Sequence, residues 1–340
     1  MIGVAARHVE GARQRLSARR ELTRLQARLP ALLVGTPAEG RLHGAQSAQW
    51  TRSGVAVFLL GLCADAPSIV VKATTRPGAA CSLTRQHAAL AELHALDTLG
   101  AWRALLPRPL AQRGDGELRV VVETALRGRP ATAASGEHML CELIESIRPL
   151  HERTSNIVTV DEQCLVRWID APVAPLATLD ALTPGQRATL EGLRDRLRGE
   201  LGGAQLQTNW IHGDFWPANV LVDGQSVPSG IVDWDRAAAG ELALHDLLHT
   251  LLYSRKLLAR RPLGEVVAQQ LRAPVWSSAE CRALGQLSGD IEQLTDASAV
   301  ALYWLRHVAE NLLRDPAYAT NAAWLRGNVL PVLDALRSSV

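Results

Sequence analysis

Lysine is nearly missing from this sequence: of its 36 basic residues only Lys72 and Lys256 are lysine, arginine supplying the rest. Each remaining lysine therefore invites a chemical question, since a compact ammonium and a planar guanidinium are not interchangeable. Cysteine is sparse as well. The five (Cys63, Cys81, Cys141, Cys164, Cys281) show no CxxC spacing, which argues against a disulfide framework or a thiolate zinc centre. The net charge of +2 comes without a basic block, so no nucleic-acid partner is expected. No apolar run approaches a membrane span, the longest being Val55 to Ala64, and no membrane partner is expected. The first 20 residues carry arginines and Glu10 through a weakly apolar stretch without a secretory h-region, so the expected location is cytoplasmic. A GxGxxG signature is also absent from the first half of the chain.

What is present is a globular composition, 47% hydrophobic and 21% charged over 340 residues, enough for one large domain or two lobes. Helical spacing of Leu16, Leu22, Leu25 and Leu29 predicts a leader helix over residues 5–33, ended by Pro30 and Gly35. Two β-branched and apolar runs, Val55 to Leu60 and Ser68 to Thr74, read as a hairpin around Ala64 to Pro67, and the second contains Lys72. A helix from Leu83 to Leu99 follows. A second hairpin turns at Arg113-Gly114-Asp115-Gly116 before the strand Leu118 to Glu123. Beyond Gly128 long helical patterns dominate. Ser135 can cap a helix running to His151, and Thr183-Pro184-Gly185-Gln186 combines a capping box with proline at the first helical position. The expected fold is therefore α+β: residues 1–127 form the leader helix and a small antiparallel-sheet lobe, and residues 128–340 a larger, mostly helical lobe.

The chemistry concentrates in one stretch. His212 to Asn219 has the form HGDxxxxN between two short apolar strands, and Asp233 stands nineteen positions beyond Asp214 at the end of the apolar run from Gly230. Phosphoryl transfer needs a carboxylate to take the proton of an acceptor hydroxyl, and oxygen ligands to hold magnesium on the phosphates. Asp214, Asn219 and Asp233 are groups of those kinds, brought close by one loop and an adjoining strand.

These residues resemble the aminoglycoside phosphotransferase and choline kinase group, which has a two-lobed protein-kinase-like fold. The resemblance implies an ATP- and Mg2+-dependent kinase that phosphorylates a small-molecule hydroxyl: an aminoglycoside or other antibiotic, a sugar or an amino alcohol. By that likeness Asp214 is the catalytic base, Asn219 and Asp233 are magnesium ligands, and Lys72 holds the nucleotide phosphates. Glu123 to Gly128, with Ala125 among them, would be the interlobe hinge whose backbone receives adenine. His212 would buttress the loop, Asp246 would brace it from a helix, and Asp235 would support it or contact the acceptor. The phosphate-covering turn would fall within Gly44 to Gly54. Where the family places a glutamate partner for the lysine this chain has Gln86. Counting about 100° per residue puts Gln86 on the stripe of Leu83, Leu90 and Leu93, with Glu92 on the opposite side. The expectation is that the Gln86 amide oxygen accepts from Lys72 while Glu92 stays solvated. Trp168, Asp170, Trp304, His307 and Asn311 are candidate walls of an acceptor pocket.

Two other readings remain open on the sequence. His245 and His249, one helical turn apart with Asp246 between, loosely resemble a zinc-hydrolase helix, though a third ligand and a glutamate base are missing. A kinase-shaped binding module without catalysis is the other, left open by Gln86. Oligomeric state has no signature in the sequence.

Overall fold

The computed structural model describes residues 20–42, 45–51, 53–61, 69–132, 136–285 and 294–338. They form two compact units. One comprises the described residues up to Asp97 together with Arg103–Arg127 and Val232–Arg236; the other comprises Thr98–Trp102, Gly128–Ile231 and the chain from Ala237 onward.

The first unit is built on a five-stranded antiparallel sheet of β1 (Ala45–Trp50), β2 (Ala56–Leu60), β3 (Ile69–Thr74), β4 (Pro109–Asp115) and β5 (Leu118–Thr124), in the order β1-β2-β3-β5-β4. Two-residue alternation sorts its side chains onto two faces. Phe58, Leu60, Val71, Val120 and Val122 bury one face against Leu25, Leu29 and Leu33 of helix α1, residues 20–32. Each of those leucines contributes roughly 1.5–3 kcal/mol by leaving water. The predicted leader helix is thus present where described, but Pro30 does not end it; the chain leaves the helix at 33–35, where Gly35 has φ 71°. Residues 5–19 of that prediction lie outside the described residues. The other face carries Val57 and Val121 against helix α2 (Pro77–Ala95). The predicted bounds Leu83 to Leu99 are corrected at both ends: the helix starts at Pro77, which supplies the first helical φ, and stops at Ala95, before the extended Leu96. The second hairpin turns over Gly116 and Glu117, with Asp115 paired to Leu118. The turn Ala64–Pro67 lies outside the described residues, as does the Ser135 cap.

In the second unit, α3 (Gly136–Arg153), α4 (Glu162–Leu165), a π-helical turn (Val166–Asp170), α5 (Ala171–Ala177) and α6 (Pro184–Leu201) precede the HGDxxxxN loop. The capping box of α6 forms as predicted: Gln186 N donates to Thr183 Oγ1 at 3.2 Å and Thr183 N donates to Gln186 Oε1 at 3.1 Å. Two three-stranded sheets frame the loop. One orders β11 (Ala238–Glu241), β8 (Gln205–Ile211) and β7 (Asn156–Thr159); the other orders β10 (Pro228–Ile231), β9 (Val220–Val222) and β6 (Arg129–Pro130). Helices α7 (Leu244–Ala259), α8 (Leu263–Arg272) and α10 (Asp296–Arg314) share one large apolar core with α6, and α9 (Ser278–Gly285) packs on α3 and α7. The chain ends in α11 (Ala317–Thr320), α12 (Ala322–Asn328) and α13 (Leu330–Arg337). The four cysteines among the described residues are free thiols, and no described helix is long and apolar enough to cross a membrane.

Candidate active site

Lys72 stands in the middle strand of the first unit, on the face that α2 covers, and is 7% exposed. Its Nζ is 2.9 Å from Glu123 Oε1 and 3.0 Å from Asp233 Oδ1. Register explains the first contact: Val70 pairs with Glu123 and Lys72 with Val121, so Glu123 and Lys72 are diagonal neighbours on one face. Burial alone would lower the lysine pKa, but the two carboxylates more than offset that, and the net shift is upward. Lys72 is a fixed cation.

Gln86 corrects the sequence expectation. The helix phase is as counted, with Gln86 buried and Glu92 exposed. The amide does not accept from Lys72, however; its Nε2 donates to Glu123 Oε2 at 2.6 Å. The lysine's carboxylate partner is therefore Glu123, on a strand instead of the helix, and Gln86 steadies that carboxylate. Glu123 is accordingly not a hinge residue. It sits inside β5, paired with Val70 on one side and Pro109 on the other, so the stretch free for hinge contacts begins after Thr124, at the half-buried Ala125. The signal available in the sequence was the single carboxylate of that strand, directly after the apolar run Val120–Val122.

Asp233 adopts φ 65°, a left-handed conformation uncommon outside glycine, and its carboxylate is 54% exposed. It presents an accessible anionic oxygen of the kind magnesium takes. Asp235 follows, half-buried. Between β1 and β2, inside the stretch expected to cover phosphates, Gly54 N donates to the Thr51 carbonyl at 3.1 Å. Thr51 Oγ1 accepts from Val55 N at 3.0 Å and lies 2.8 Å from Ser53 Oγ; Gly54 has φ 82° and its carbonyl accepts from Thr74 Oγ1 at 2.7 Å.

In the second unit, β8 delivers the chain into the loop and a 3-10 turn at Pro217–Asn219 hands it to β9. Gly213 makes the turn with φ 78°. Asp246, fully buried in the first turn of α7, accepts from His212 N and Gly213 N, each at 2.7 Å, and its Oδ2 lies 3.0 Å from His151 Nε2. Burial alone would raise its pKa, but His151 and the backbone donors hold the carboxyl below its ordinary value. The buried ring of His212 accepts from Asp214 N through Nδ1 at 3.2 Å, which gives it a place in the loop's frame. Asn219 Nδ2 donates to the Asp214 carbonyl at 2.8 Å and stands 3.4 Å from Asp214 Oδ2. With its nitrogen so engaged, Asn219 keeps its oxygen as the acceptor end, a neutral ligand suited to a hard cation. Asp214 is left with a carboxylate one quarter exposed. Its Oδ1 is 3.1 Å from Nε2 of His249, a neighbour that the sequence reading missed.

Among the described residues nothing completes a metal centre around His245 and His249. His249 faces Asp214 and Tyr303, and among the described residues no three His, Cys, Asp or Glu side chains gather as ligands. His245 is buried, with no hydrogen-bond partner at Nδ1 among the described residues. Burial first, and then Arg306, hold its pKa well below 6.5, against the opposing pull of Asp246. Acid therefore protonates the unfolded chain before the folded one. The contribution of neutral His245 is complete above about 6.5 and is lost as pH falls toward the depressed folded value. Urea unfolding should lose at most about 1.4 kcal/mol per pH unit below that point from this single proton, and His245→Leu should flatten the slope. An equal slope in the variant would assign the effect elsewhere. The Asp246 contribution is lost only at still lower pH, below about 3.8.

Of the acceptor-wall candidates, two are core. Trp168 and Trp304 are 4% and 0% exposed within the apolar cluster, and Trp304 Nε1 donates to Asn328 O. Asp170 is bound in an ion pair with Arg198. His307 does reach the loop's surroundings, its ring 5.1 Å from that of His249, and Asn311 Nδ2 donates to the His307 carbonyl. Other rings beside the loop were not among the candidates: Trp216, two positions past Asp214, lies tilted against Tyr253 at 4.8 Å, and Tyr253 against His249 at 4.9 Å.

Comparisons with known proteins identify the fold and the family. The model of the phosphotransferase enzyme family matches residues 56–284. Among solved structures, a thermostable mutant of the aminoglycoside phosphotransferase APH(4)-Ia, in ternary complex with AMP-PNP and hygromycin B, superposes with a TM-score of 0.56 at 15% identity, over 92% of this chain and 98% of that one. The GDP complex of wild-type aminoglycoside 2'-phosphotransferase-IIIa gives 0.55 at 15% identity, over 89% and 100%. No curated protein matches. The fold is the protein-kinase-like one, with an antiparallel-sheet N-terminal part and a helical C-terminal part. Since the matched segment holds β3 with its lysine, the HGDxxxxN loop, Asp233 and the bracing Asp246, this chain belongs to the phosphotransferase enzyme family.

Proposed function

We propose that the enzyme moves the γ-phosphate of ATP to a hydroxyl of a small molecule, an aminoglycoside or other antibiotic, a sugar or an amino alcohol. The observation that carries this reading is the Asp214 carboxylate, partly exposed on a loop whose backbone is pinned by buried Asp246. A carboxylate so fixed can orient the hydroxyl and accept its proton. Lys72, held between carboxylates, is proposed to pair with nucleotide phosphates, the segment with Thr51, Ser53 and Gly54 to cover them, and Ala125 and the residues after it to receive the base. Asn219 and Asp233 are the proposed magnesium ligands. When bound, the ion would neutralise charge on the phosphates.

The test is consumption of ATP, and in parallel GTP, by purified enzyme against a panel of hydroxylated antibiotics, amino alcohols and sugars, with phosphorylated product identified by mass. No product from any member would sink the reading. A second measurement addresses the metal. Calorimetry of ATP binding with and without magnesium should show a dependence in the wild type that Asp233→Ala abolishes and Asn219→Ala only weakens, because the anionic ligand is the stronger one. An unchanged dependence in Asp233→Ala would move the role to another oxygen, Asp235 first.

A further inference from the structure

Helix α7 meets the HGDxxxxN loop through successive positions on one face. Asp246 holds the backbone of His212 and Gly213, Thr250 Oγ1 donates to the Phe215 carbonyl at 2.8 Å, and between them His249 places Nε2 3.1 Å from Asp214 Oδ1. The first two contacts fix main chain, whereas the third reaches the side chain proposed to react.

His249 is 1% exposed and its ring is enclosed. Tyr253 and His307 lie against it at centroid distances of 4.9 and 5.1 Å, and the Tyr303 hydroxyl is 2.8 Å from Nδ1. The protons follow from chemistry. An ionised carboxylate only accepts, so the nitrogen beside it carries hydrogen; Nδ1 then has a lone pair, and the Tyr303 O–H donates to it. The Nε2–H is not aimed straight at Oδ1, which leaves that contact short of a well-aligned hydrogen bond. Such looseness is common at catalytic groups before the reacting complex tightens them. On the other side of the carboxylate, Asn219 Nδ2 stands 3.4 Å from Oδ2. Each oxygen of the Asp214 carboxylate thus has a nitrogen close to it.

We infer that His249, oriented by Tyr303, is a positioning residue for Asp214, holding the plane of its carboxylate so that it meets the acceptor hydroxyl in one orientation. The inference rests on the reading of Asp214 as the base. A base oriented by a third group is a general device, and loss of an orienting partner outside the reacting atoms commonly costs about 10- to 100-fold. His249→Leu should therefore lower the turnover of magnesium-ATP, with water or a panel acceptor receiving phosphate, by about 10- to 100-fold, and leave KM for ATP within about twofold. His249→Gln, which keeps a nitrogen donor at the same reach, should restore most of the loss. Tyr303→Phe should fall between, and adding it to His249→Leu should cost nothing more, since the two act in series.

A purely structural role would lower stability in both His249 variants without separating kcat from KM. Turnover above half of wild type in His249→Leu, or no rescue by His249→Gln, overturns the inference. Nitrogen-15 spectra of the histidine rings give a readout that needs no phosphoryl transfer: His249 should be the Nε2–H tautomer, and its resonances should move in Asp214→Asn. If they do not move, the pairing is absent even in an active enzyme. If they move in an enzyme that transfers no phosphate, the pairing stands and the proposed function is what fails.

Discussion

Replacing Asp214 with asparagine is expected to reduce phosphoryl transfer by about 10²- to 10⁴-fold, the range of a general base, with nucleotide affinity nearly unchanged. The substitution keeps shape and removes a proton acceptor. The surrounding contacts survive it, because Asp214 N still donates to His212 Nδ1 and the Asp214 carbonyl still accepts from Asn219 Nδ2. The loop's main support does not involve the Asp214 side chain at all, since Asp246 grips the backbone of His212 and Gly213. Loss of rate should therefore come without loss of fold. Single-turnover transfer and calorimetric nucleotide binding on the same preparation check both halves, and a variant that keeps more than half the wild-type turnover removes Asp214 from the role.

The features that were legible in the sequence are those set by local chemistry. The capping box at Thr183 to Gln186 needs only two side chains and two amides three residues apart, and it forms. The sheet runs around Lys72 announced themselves by β-branched residues, and the phase of Gln86 followed from helical periodicity. What escaped was pairing between distant segments. Whether Lys72 meets Gln86 or Glu123 is decided by the register of β3 against β5, and a slip of one residue would move Glu123 to the other face. His249 was noticed for its spacing from His245, yet its meaning lies in contact with Asp214, which no helical pattern contains. Trp168 and Trp304 illustrate the converse error: aromatic residues read as pocket walls serve the core.

That register carries a sharper consequence for the lysine. Glu123→Ala should be the most damaging change around it, because it leaves a buried ammonium with only the half-exposed Asp233 as partner. Removing one member of a buried, hydrogen-bonded ion pair costs about 2–5 kcal/mol, and most of that is the desolvated charge left behind. Gln86→Ala should cost less, about 1–3 kcal/mol, since it strips one donor from Glu123 Oε2 and leaves the ion pair whole. Gln86→Glu should be harmful even though it installs the family's glutamate on the helix: a second carboxylate would meet Glu123 at the position where the amide now donates, and two like charges there cannot both stay ionised cheaply. Glu92→Ala, on the exposed side of α2, should change nothing. The Michaelis constant for ATP should rise in the same order, because a lysine without its strand partner swings toward Asp233 and away from the phosphates it is proposed to hold. Urea unfolding and nucleotide kinetics on the four variants decide it. If Gln86→Glu proves stabilising and Glu123→Ala mild, the lysine takes its partner from the helix after all, and β3 and β5 do not pair in the register that sets Glu123 beside Lys72.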